Sequence, residues 1–247
     1  RDLHLSLRRQ RQMCIRDSQW RDFDWRDEEC RIYQKHLEQF VDFIGDIVGT
    51  EAEKDGDLPM DNWLRSVLNI RIREITLLLE KGEIRKAIDT AFFKLWNDIN
   101  WYRKRTNNRN IKRDHIKIWL RLLAPSIPHI CEEIWHMLGE KTFISIESWP
   151  KPDIEHIDSK VVELEEVLKR TMNDIKHLSQ LTGRRKKLCI YTASEGEFNH
   201  FTAAEWFLSK ELGFKEVSVF KADDRKRYDP ENRARRAQPK KPGIYLE

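Results

Sequence analysis

Apolar residues recur every three or four positions up to about residue 138, and this spacing predicts amphipathic helices. The predicted helices cover about residues 27–48, 61–80, 83–105, 112–123 and 128–138. Asp61 is expected to cap the second of them, because a short acidic side chain can accept backbone N–H groups at a helix start. Short or medium connections join the five helices, as in helical bundles. The pattern therefore predicts a helical bundle.

Two prolines mark the corner between the fourth and fifth predicted helices. The fourth helix cannot continue through Pro125, because proline lacks a backbone N–H and its ring clashes with the preceding turn. Pro128 stands where the next helix begins, and a missing N–H costs nothing at that position. Gly139 is the expected C-cap of the fifth helix. Residues 142–152 then form an extended exit from the bundle.

The pattern changes after Pro152. An amphipathic helix is predicted from about Ser159 to Leu181, with Gly183 ending it. Strands are predicted at 188–191, 216–220 and 244–246, and helices at 201–212 and 230–237. We therefore expect a mainly α chain, with a helical bundle at 19–152 and a small α/β domain at 153–247. Residues 1–18 are expected to be a non-native or disordered lead-in.

Composition excludes several classes of protein. No apolar run approaches the roughly 18 residues that a membrane span needs. The basic N-terminus is not followed by the apolar stretch of a signal peptide. The four cysteines are far apart, which argues against a disulfide framework or a zinc ribbon and indicates a reducing, cytoplasmic environment.

Positive charge collects in the last third of the chain. The net charge is only +4, but nine Lys or Arg stand against five Asp or Glu from Lys221 to Glu247. Such clusters are the footprint of a polyanion partner, although a solvated face would carry the same residues. The candidate RNA-binding side chains are Arg103, Lys104, Arg105, Arg184, Arg185, Lys186, Lys187, Arg225, Lys226, Arg227, Arg233, Arg235, Arg236, Lys240 and Lys241.

The tryptophans and one histidine pattern have simpler explanations. Core packing is expected of Trp63, Trp96, Trp119 and Trp135, because each lies in the apolar phase of a predicted helix. Trp25 and Trp149 are expected to clamp the two ends of the bundle. His129, Glu133 and His136 share a helix face, but a di-iron site needs two Glu-x-x-His elements and two further glutamates. We therefore predict no metal site.

Several motifs together resemble one enzyme family. The run Leu122–Trp135, followed by Leu138-Gly139 and the Ser148–Pro150 segment, resembles the helical bundle of class I aminoacyl-tRNA synthetases of the methionyl, valyl, leucyl and isoleucyl group. Further segments resemble the archaeal and eukaryotic type of leucyl-tRNA synthetase in their order and spacing: 22–27, 60–69, Trp101-Tyr102, 229–237 and 241–247.

The resemblance implies that this chain is the tRNA-binding C-terminal part of such a ligase. Neither His-x-Gly-His nor Lys-Met-Ser-Lys-Ser, the ATP-binding motifs of class I synthetases, occurs here. The resemblance therefore implies no cofactor in this chain, with ATP and magnesium serving the full-length enzyme. The catalytic and editing domains would be missing partners, and this part alone is expected to be inactive.

The family also implies where tRNA is recognised. Leucine tRNAs carry different anticodons, and the archaeal enzymes use the C-terminal domain to approach the long variable arm. If this chain is like those enzymes, the residues that recognise tRNA lie within 184–247, with Tyr245 or Ile244 as apolar contacts.

Three alternatives remain open from the sequence. They are the same region of an isoleucyl, valyl or methionyl enzyme, a stand-alone tRNA-binding protein, and a purely structural helical protein. The Asp24-Trp25 entry and the Pro242–Glu247 ending favour leucyl over the first.

Overall fold

The computed structural model describes residues 27–48, 59–106 and 111–247. The chain divides into two compact units, the first ending at Ile157 and the second running from Asp158 to Glu247. The predicted lead-in at 1–18 and Trp25 lie outside the described residues. Each unit is described below by itself.

The first unit contains the helices that the apolar spacing predicts. They are α1 Asp27–Val48, α2 Pro59–Glu80, α3 Ile84–Asp89, α4 Leu95–Thr106, α5 Arg113–Leu123 and α6 Pro128–Met137. Between α3 and α4 the chain makes a π turn, Thr90–Lys94. The prediction of one regular helix over 83–105 is therefore wrong at its centre.

The π turn serves the packing of an indole. Trp119 on α5 is fully buried, and its Nε1 donates to the carbonyl oxygen of Ala91 within the turn at 2.7 Å. A π turn frees backbone carbonyls from the regular helical ladder, so Ala91 can accept this bond. The Phe40 ring packs beside the indole, with its centroid 5.0 Å from that of Trp119 and 5.7 Å from that of Trp96.

Three of the four predicted core tryptophans are buried. Trp63 and Trp135 are buried together with Trp119, whereas Trp96 is half-buried against the phenylalanines of α1 and the π turn. Trp149 donates from Nε1 to the Thr76 hydroxyl on α2 at 2.8 Å, so it fastens the chain after the bundle to a bundle helix.

Asp61 is not the N-cap that the sequence indicated. The helix α2 already begins at Pro59, and Asp61 lies in its first turn with 4% of its surface exposed. Its carboxylate accepts the Tyr102 hydroxyl at 2.5 Å and pairs with Lys112 at 3.4 Å. Asp61 therefore links α2 to α4 and to the start of α5, and does not cap α2.

The exit from the bundle, predicted to be extended, contains a short helical turn. A short 3-10 turn spans Ile144–Ile146. The Glu132 carboxylate accepts the backbone N–H groups of Ile144 and Ser145 at 2.9 and 3.1 Å. Burial alone would raise the pKa of Glu132, but these bonds to the charged form hold that pKa below its ordinary value.

The second unit is a small α/β fold. Its elements are α7 Ser159–Thr182, β1 Lys187–Thr192, α8 Glu195–Thr202, α9 Glu205–Leu212, β2 Glu216–Lys221 and β3 Gly243–Leu246. The strand order is β2-β1-β3, with β1 parallel to β2 and antiparallel to β3. Asp158 caps α7 by accepting two backbone N–H groups, and Gly183 and Gly213 end α7 and α9 at positive φ.

The single helix predicted over 201–212 is two helices. The missed helix α8 carries a start signal that the sequence displays, a serine followed three residues later by glutamate. Ser194 accepts the N–H of Glu197 at 3.3 Å, and Glu197 accepts the N–H of Ala193 at 3.2 Å. Apolar spacing alone did not reveal this helix, because it is only eight residues long.

Both faces of β1 are covered, as its continuous apolar run requires. The helices α8 and α9 contact the sheet through β1 and β2. The other face carries Cys189, Tyr191 and Tyr245, which form a small core with Ala234. Ala234 belongs to a 3-10 turn, Arg233–Arg236, which replaces the helix predicted over 230–237.

Candidate nucleic-acid interface

The 3-10 turn Arg233–Arg236, hereafter the arginine turn, is held by one carboxylate. Asp229 accepts the backbone N–H groups of Arg233 and Ala234 at 2.6 and 3.0 Å. Burial alone would raise the pKa of Asp229, but these two bonds and the Arg227 guanidinium hold that pKa below its ordinary value of 3.8. Asp229 therefore fixes the turn in its ionised form. The Asp-Pro pair at 229–230 is a turn signal that the sequence displays.

A glycine lets the arginine turn lie against the sheet. A Cβ atom added to Gly243 would lie 2.6 Å from the carbonyl oxygen of Arg233, which is closer than non-bonded atoms approach. Ala234 can therefore enter the core beside β3, while Arg235 and Arg236 are exposed.

Glu231 joins two of the predicted basic clusters. It accepts hydrogen bonds from Arg233 at 2.8 Å and from Arg184 at 3.2 Å, and these bonds lower the pKa of Glu231. Arg184 also donates to the Leu246 carbonyl at 3.0 Å. The clusters at 184–187 and 233–236 therefore meet at Glu231, which is 47 residues from Arg184 in the sequence.

Other predicted cations are held by the fold. Lys187 pairs with Glu216 at 2.7 Å, and Arg227 contacts Asp229 at 3.4 Å. Arg185 donates to the Ser179 hydroxyl at 3.3 Å. Lys240 pairs with Glu163 on α7. The structure thus gives these four side chains local structural partners.

A second group of predicted cations is exposed and has no side-chain partner within the described ranges. These residues are Lys186, Arg225, Lys226, Arg235, Arg236 and Lys241. Their charge is not neutralised by the fold, so they are the stronger candidates for contact with phosphate groups.

The cluster Arg103, Lys104 and Arg105 lies in the first unit, in the last turn of α4. Cations are favoured at a helix C-terminus. The Arg103 guanidinium also lies 4.7 Å from the centroid of the Phe43 ring. Local contacts therefore account for part of this cluster.

Tyr245 does not fit the expected apolar contact with RNA. Only 8% of its surface is exposed, and its ring packs edge-on against Tyr228 with centroids 6.1 Å apart. The alternation of side chains along β3 turns it into the core shared with Cys189 and Ala234. Its neighbour Ile244 is half-buried.

The histidine pattern on α6 does not form a ligand cluster. His129, Glu133 and His136 are all exposed, and the His136 ring contacts Phe143 with centroids 6.0 Å apart. Across the described residues, no three His, Cys, Asp or Glu side chains are grouped as metal ligands. Burial raises the pKa of the Cys131 and Cys189 thiols, to about 12 and about 11, so neither is a reactive thiolate.

None of the helices in the described ranges has the length and apolar character needed to cross a membrane.

Comparison with protein families identifies the bundle. Residues 61–195, which include most of the first unit together with α7 and β1, match the model of the anticodon-binding domain of tRNA ligase. The chain belongs to this family. The two-proline corner and the following α6 helix lie within the matched residues.

Curated relatives point to one type of ligase. Leucine–tRNA ligase of Pyrococcus horikoshii is 35% identical over 70% of this chain and 19% of its own length. The leucine–tRNA ligases of Methanococcoides burtonii and Methanothermobacter thermautotrophicus are 27% and 28% identical over 93% and 92% of this chain. The chain spans about a fifth to a third of the length of these relatives, from 19% to 32%.

One solved structure is also similar, the ternary complex of Agrobacterium radiobacter K84 agnB2 LeuRS with tRNA and LeuAMS. The matched region covers 85% of this chain and 28% of the solved LeuRS chain, with 14% identity and a TM-score of 0.48. Similarity at this level does not bear on the function.

Proposed function

We propose that this chain is the tRNA-binding part of a leucine–tRNA ligase, which binds and orients leucine tRNA for ATP-dependent aminoacylation by a catalytic domain elsewhere in the enzyme. The observation that carries the proposal is the membership of residues 61–195 in the anticodon-binding family. Correct orientation of two reactants is itself a large part of catalysis, so a binding domain contributes to rate without touching the reacting atoms.

The charges of the second unit support RNA as the partner. Arg235 and Arg236 stand exposed on a turn that Asp229 fixes, and their guanidinium groups have no partner among the described residues. Each phosphate that such a side chain neutralises releases condensed counterions, which drives association. In a purely structural protein the same arginines would be a solvated face, and the affinity for RNA and its salt dependence distinguish the two functions.

The leucine specificity rests on the relatives. The similar proteins named above are leucine–tRNA ligases, which favours leucine tRNA over the isoleucine, valine or methionine tRNAs of the alternative enzymes. A stand-alone tRNA-binding protein would share the same contacts. We also propose a cytoplasmic location, in keeping with the free thiols of Cys30, Cys131 and Cys189.

The chain alone is proposed to be inactive in aminoacylation, because its sequence contains neither ATP-binding motif of class I synthetases. ATP and magnesium would then be required only by the full-length enzyme. A charging assay with radiolabelled leucine, ATP and leucine tRNA tests this directly, and leucyl-tRNA formed by this chain alone would contradict it.

The binding proposal is tested by the salt dependence of affinity for a leucine tRNA transcript. The double variant Arg235→Ala/Arg236→Ala should bind more weakly, and the slope of log affinity against log salt should fall by about 1 for each phosphate that is no longer neutralised. The variant Lys176→Ala/Lys215→Ala is the matched control, because it also removes two exposed cations of the second unit without a partner in the described residues. Its slope should stay unchanged.

Two results would contradict the proposal. If neither variant changes the slope, the arginine turn is not part of the interface. If tRNAs for leucine and for other amino acids bind equally well, the leucine specificity does not reside in this chain.

A further inference from the structure

An open cleft of about 600 Å³ lies at the carboxyl end of β2, in the second unit. Its lining residues are Phe198, Val219, Phe220, Lys221, Asp223, Asp224, Arg225 and Lys226. In open α/β sheets, ligands bind outside the carboxyl ends of the parallel strands, and β1 and β2 are the parallel pair here. Its volume lies in the range of small-ligand sites.

The loop on one side of the cleft is fixed by its own hydrogen bonds. The Asp224 carboxylate accepts the backbone N–H of Lys226 at 2.8 Å. The Asp224 carbonyl accepts from the Arg227 guanidinium at 2.9 Å, and the Asp224 N–H donates to the Lys221 carbonyl at 3.1 Å. The Asp224 carboxylate therefore shapes the loop, and these bonds set the backbone from which Arg225 and Lys226 extend.

The cleft presents an aromatic ring and cations together. Phe198 on α8 is half-buried, and the Lys221 ammonium lies 5.1 Å from its ring centroid. Lys221 also pairs with Glu195. Arg225 and Lys226 are exposed, and their side chains have no partner in the part of the chain that the structure describes.

From this arrangement we infer that the cleft binds one unpaired nucleotide of an RNA, with the base stacked on Phe198 and the adjoining phosphate held by Arg225 and Lys226. Stacking on an aromatic ring beside a basic groove is the common way in which proteins hold single-stranded nucleic acid. The inference deepens the proposed function and rests on it, because the RNA would be the tRNA.

The charge balance favours a single phosphodiester. Arg225 and Lys226 are lining cations without a side-chain partner in the described chain, whereas the third lining cation, Lys221, is already paired with Glu195. The lining also carries two carboxylates, Asp223 and Asp224. With Glu195 counted, three carboxylates stand against three cations, so a triphosphate would bring more negative charge than the cleft offsets, whereas a single phosphate can contact Arg225 and Lys226. A duplex would not fit the inference, because its bases are already stacked on each other and cannot meet the Phe198 ring.

The test compares single-stranded RNA with an abasic oligonucleotide of the same length, about ten nucleotides, so that both reach the site sizes known for such grooves. Phe198→Leu should weaken binding of the RNA by about tenfold or more, the loss of one stacked base, and leave binding of the abasic strand unchanged. Phe198→Tyr, which keeps an aromatic ring, should bind both strands as the unaltered chain does.

The matched control is Trp206→Leu, which removes an aromatic side chain that is 55% exposed on α9 and lies outside the cleft. It should bind both strands normally. Arg225→Ala/Lys226→Ala should weaken both strands equally, because it removes phosphate contacts and no stacking. Thermal unfolding of each variant establishes that it folds.

A second measurement needs no variant. An RNA of the same length containing 4-thiouridine is cross-linked to the unaltered chain by ultraviolet light, and cross-linked peptides are mapped. Cross-links within residues 195–227 support the inference, and cross-links found only elsewhere overturn it.

The remaining outcomes separate the two proposals. If Phe198→Leu weakens binding of the RNA and of the abasic strand equally, or weakens neither, the inference that the cleft binds a stacked nucleotide is overturned. Competition by AMP alone, with RNA binding intact in Phe198→Leu, would assign the cleft to free nucleotides and overturn the RNA inference. If the unaltered chain binds the single strand through Phe198 but does not bind leucine tRNA, the proposed function fails while the cleft remains a nucleotide site.

Discussion

Arg71 and Arg235 show how differently the two units use one residue type. In the helical unit, Arg71 bridges Asp98 at 2.8 Å and Glu74 at 2.7 Å, and Lys94 pairs with Glu74 from the π turn. In the α/β unit, Arg235 is exposed on a turn whose backbone is already bonded to Asp229, and its guanidinium has no partner among the described residues. Arg71 therefore joins two helices, whereas Arg235 is displayed to solvent in a unit that also contains paired cations such as Lys187.

Single aromatic residues of the two units also differ in their surroundings. Trp119, Phe40 and Trp96 pack edge-on inside the bundle, where they contribute to stability. In the second unit Phe198 is half-buried beside Lys221, and Trp206 is exposed with Lys210 4.9 Å from its ring centroid. Residue type alone therefore does not assign a role. The role depends on whether the fold buries the side chain or gives it a bonding partner.

The largest expected effect lies in the bundle. Trp119→Ala removes a fully buried ring and its hydrogen bond to Ala91, and should lower the free energy of unfolding by roughly 3–5 kcal/mol. Urea denaturation measures this change. Trp206→Ala, the exposed counterpart on α9, should change it by less than about 0.5 kcal/mol. Similar losses for the two variants would remove the contrast between the units.

A smaller effect is expected where the arginine turn meets β3. Gly243→Ala places a methyl group 2.6 Å from the Arg233 carbonyl oxygen, so the turn or the strand must shift, at a cost of about 1–3 kcal/mol. Gly196→Ala is the control, because it lies in α8 with no atom within 4 Å of the added Cβ and should be neutral or slightly stabilising. Equal stability of the two variants would show that the turn does not lie against β3.

The smallest effect concerns the pH dependence of the turn. The pKa of Asp229 is lowered in the folded chain, so the unfolded chain binds its proton more readily. The resulting stability is fully present above the ordinary value of 3.8 and is lost as pH falls through the lower, folded pKa. Asp229→Asn keeps one acceptor oxygen and loses the other, so it should lose about 1 kcal/mol at neutral pH, the net value of one hydrogen bond.

The difference between the unaltered chain and Asp229→Asn isolates this residue, because Glu74, Glu132 and Glu231 also have lowered pKa values and add to the acid sensitivity of both proteins. Denaturation curves recorded from neutral pH to below the ordinary pKa should converge as Asp229 is protonated. A constant difference at all pH values would show that its charge does not hold the turn.

Much of the fold could be predicted because helix signals are local. The limits of α1, α5 and α7, and the corner at Pro125 and Pro128, follow from apolar spacing and from the chemistry of proline, aspartate and glycine. The π turn at Thr90–Lys94 could not be predicted this way, because the side chain that donates to its Ala91 carbonyl, Trp119, lies on another helix. The burial of Tyr245 likewise depends on a partner distant in sequence, Tyr228, and on strand pairing with Cys189.

The sequence by itself determined the helical bundle, the α/β character of the last 90 or so residues and the collection of positive charge there, because these depend on spacing and composition within short windows. Only the tertiary structure decided which cations are available. Lys187 and Lys186 are adjacent and chemically identical, yet Lys187 pairs with Glu216 across the sheet and Lys186 has no such partner in the described chain. The physical reason is that neutralisation is a pairwise contact at a few ångströms, and strand register sets which acid stands within reach of which base.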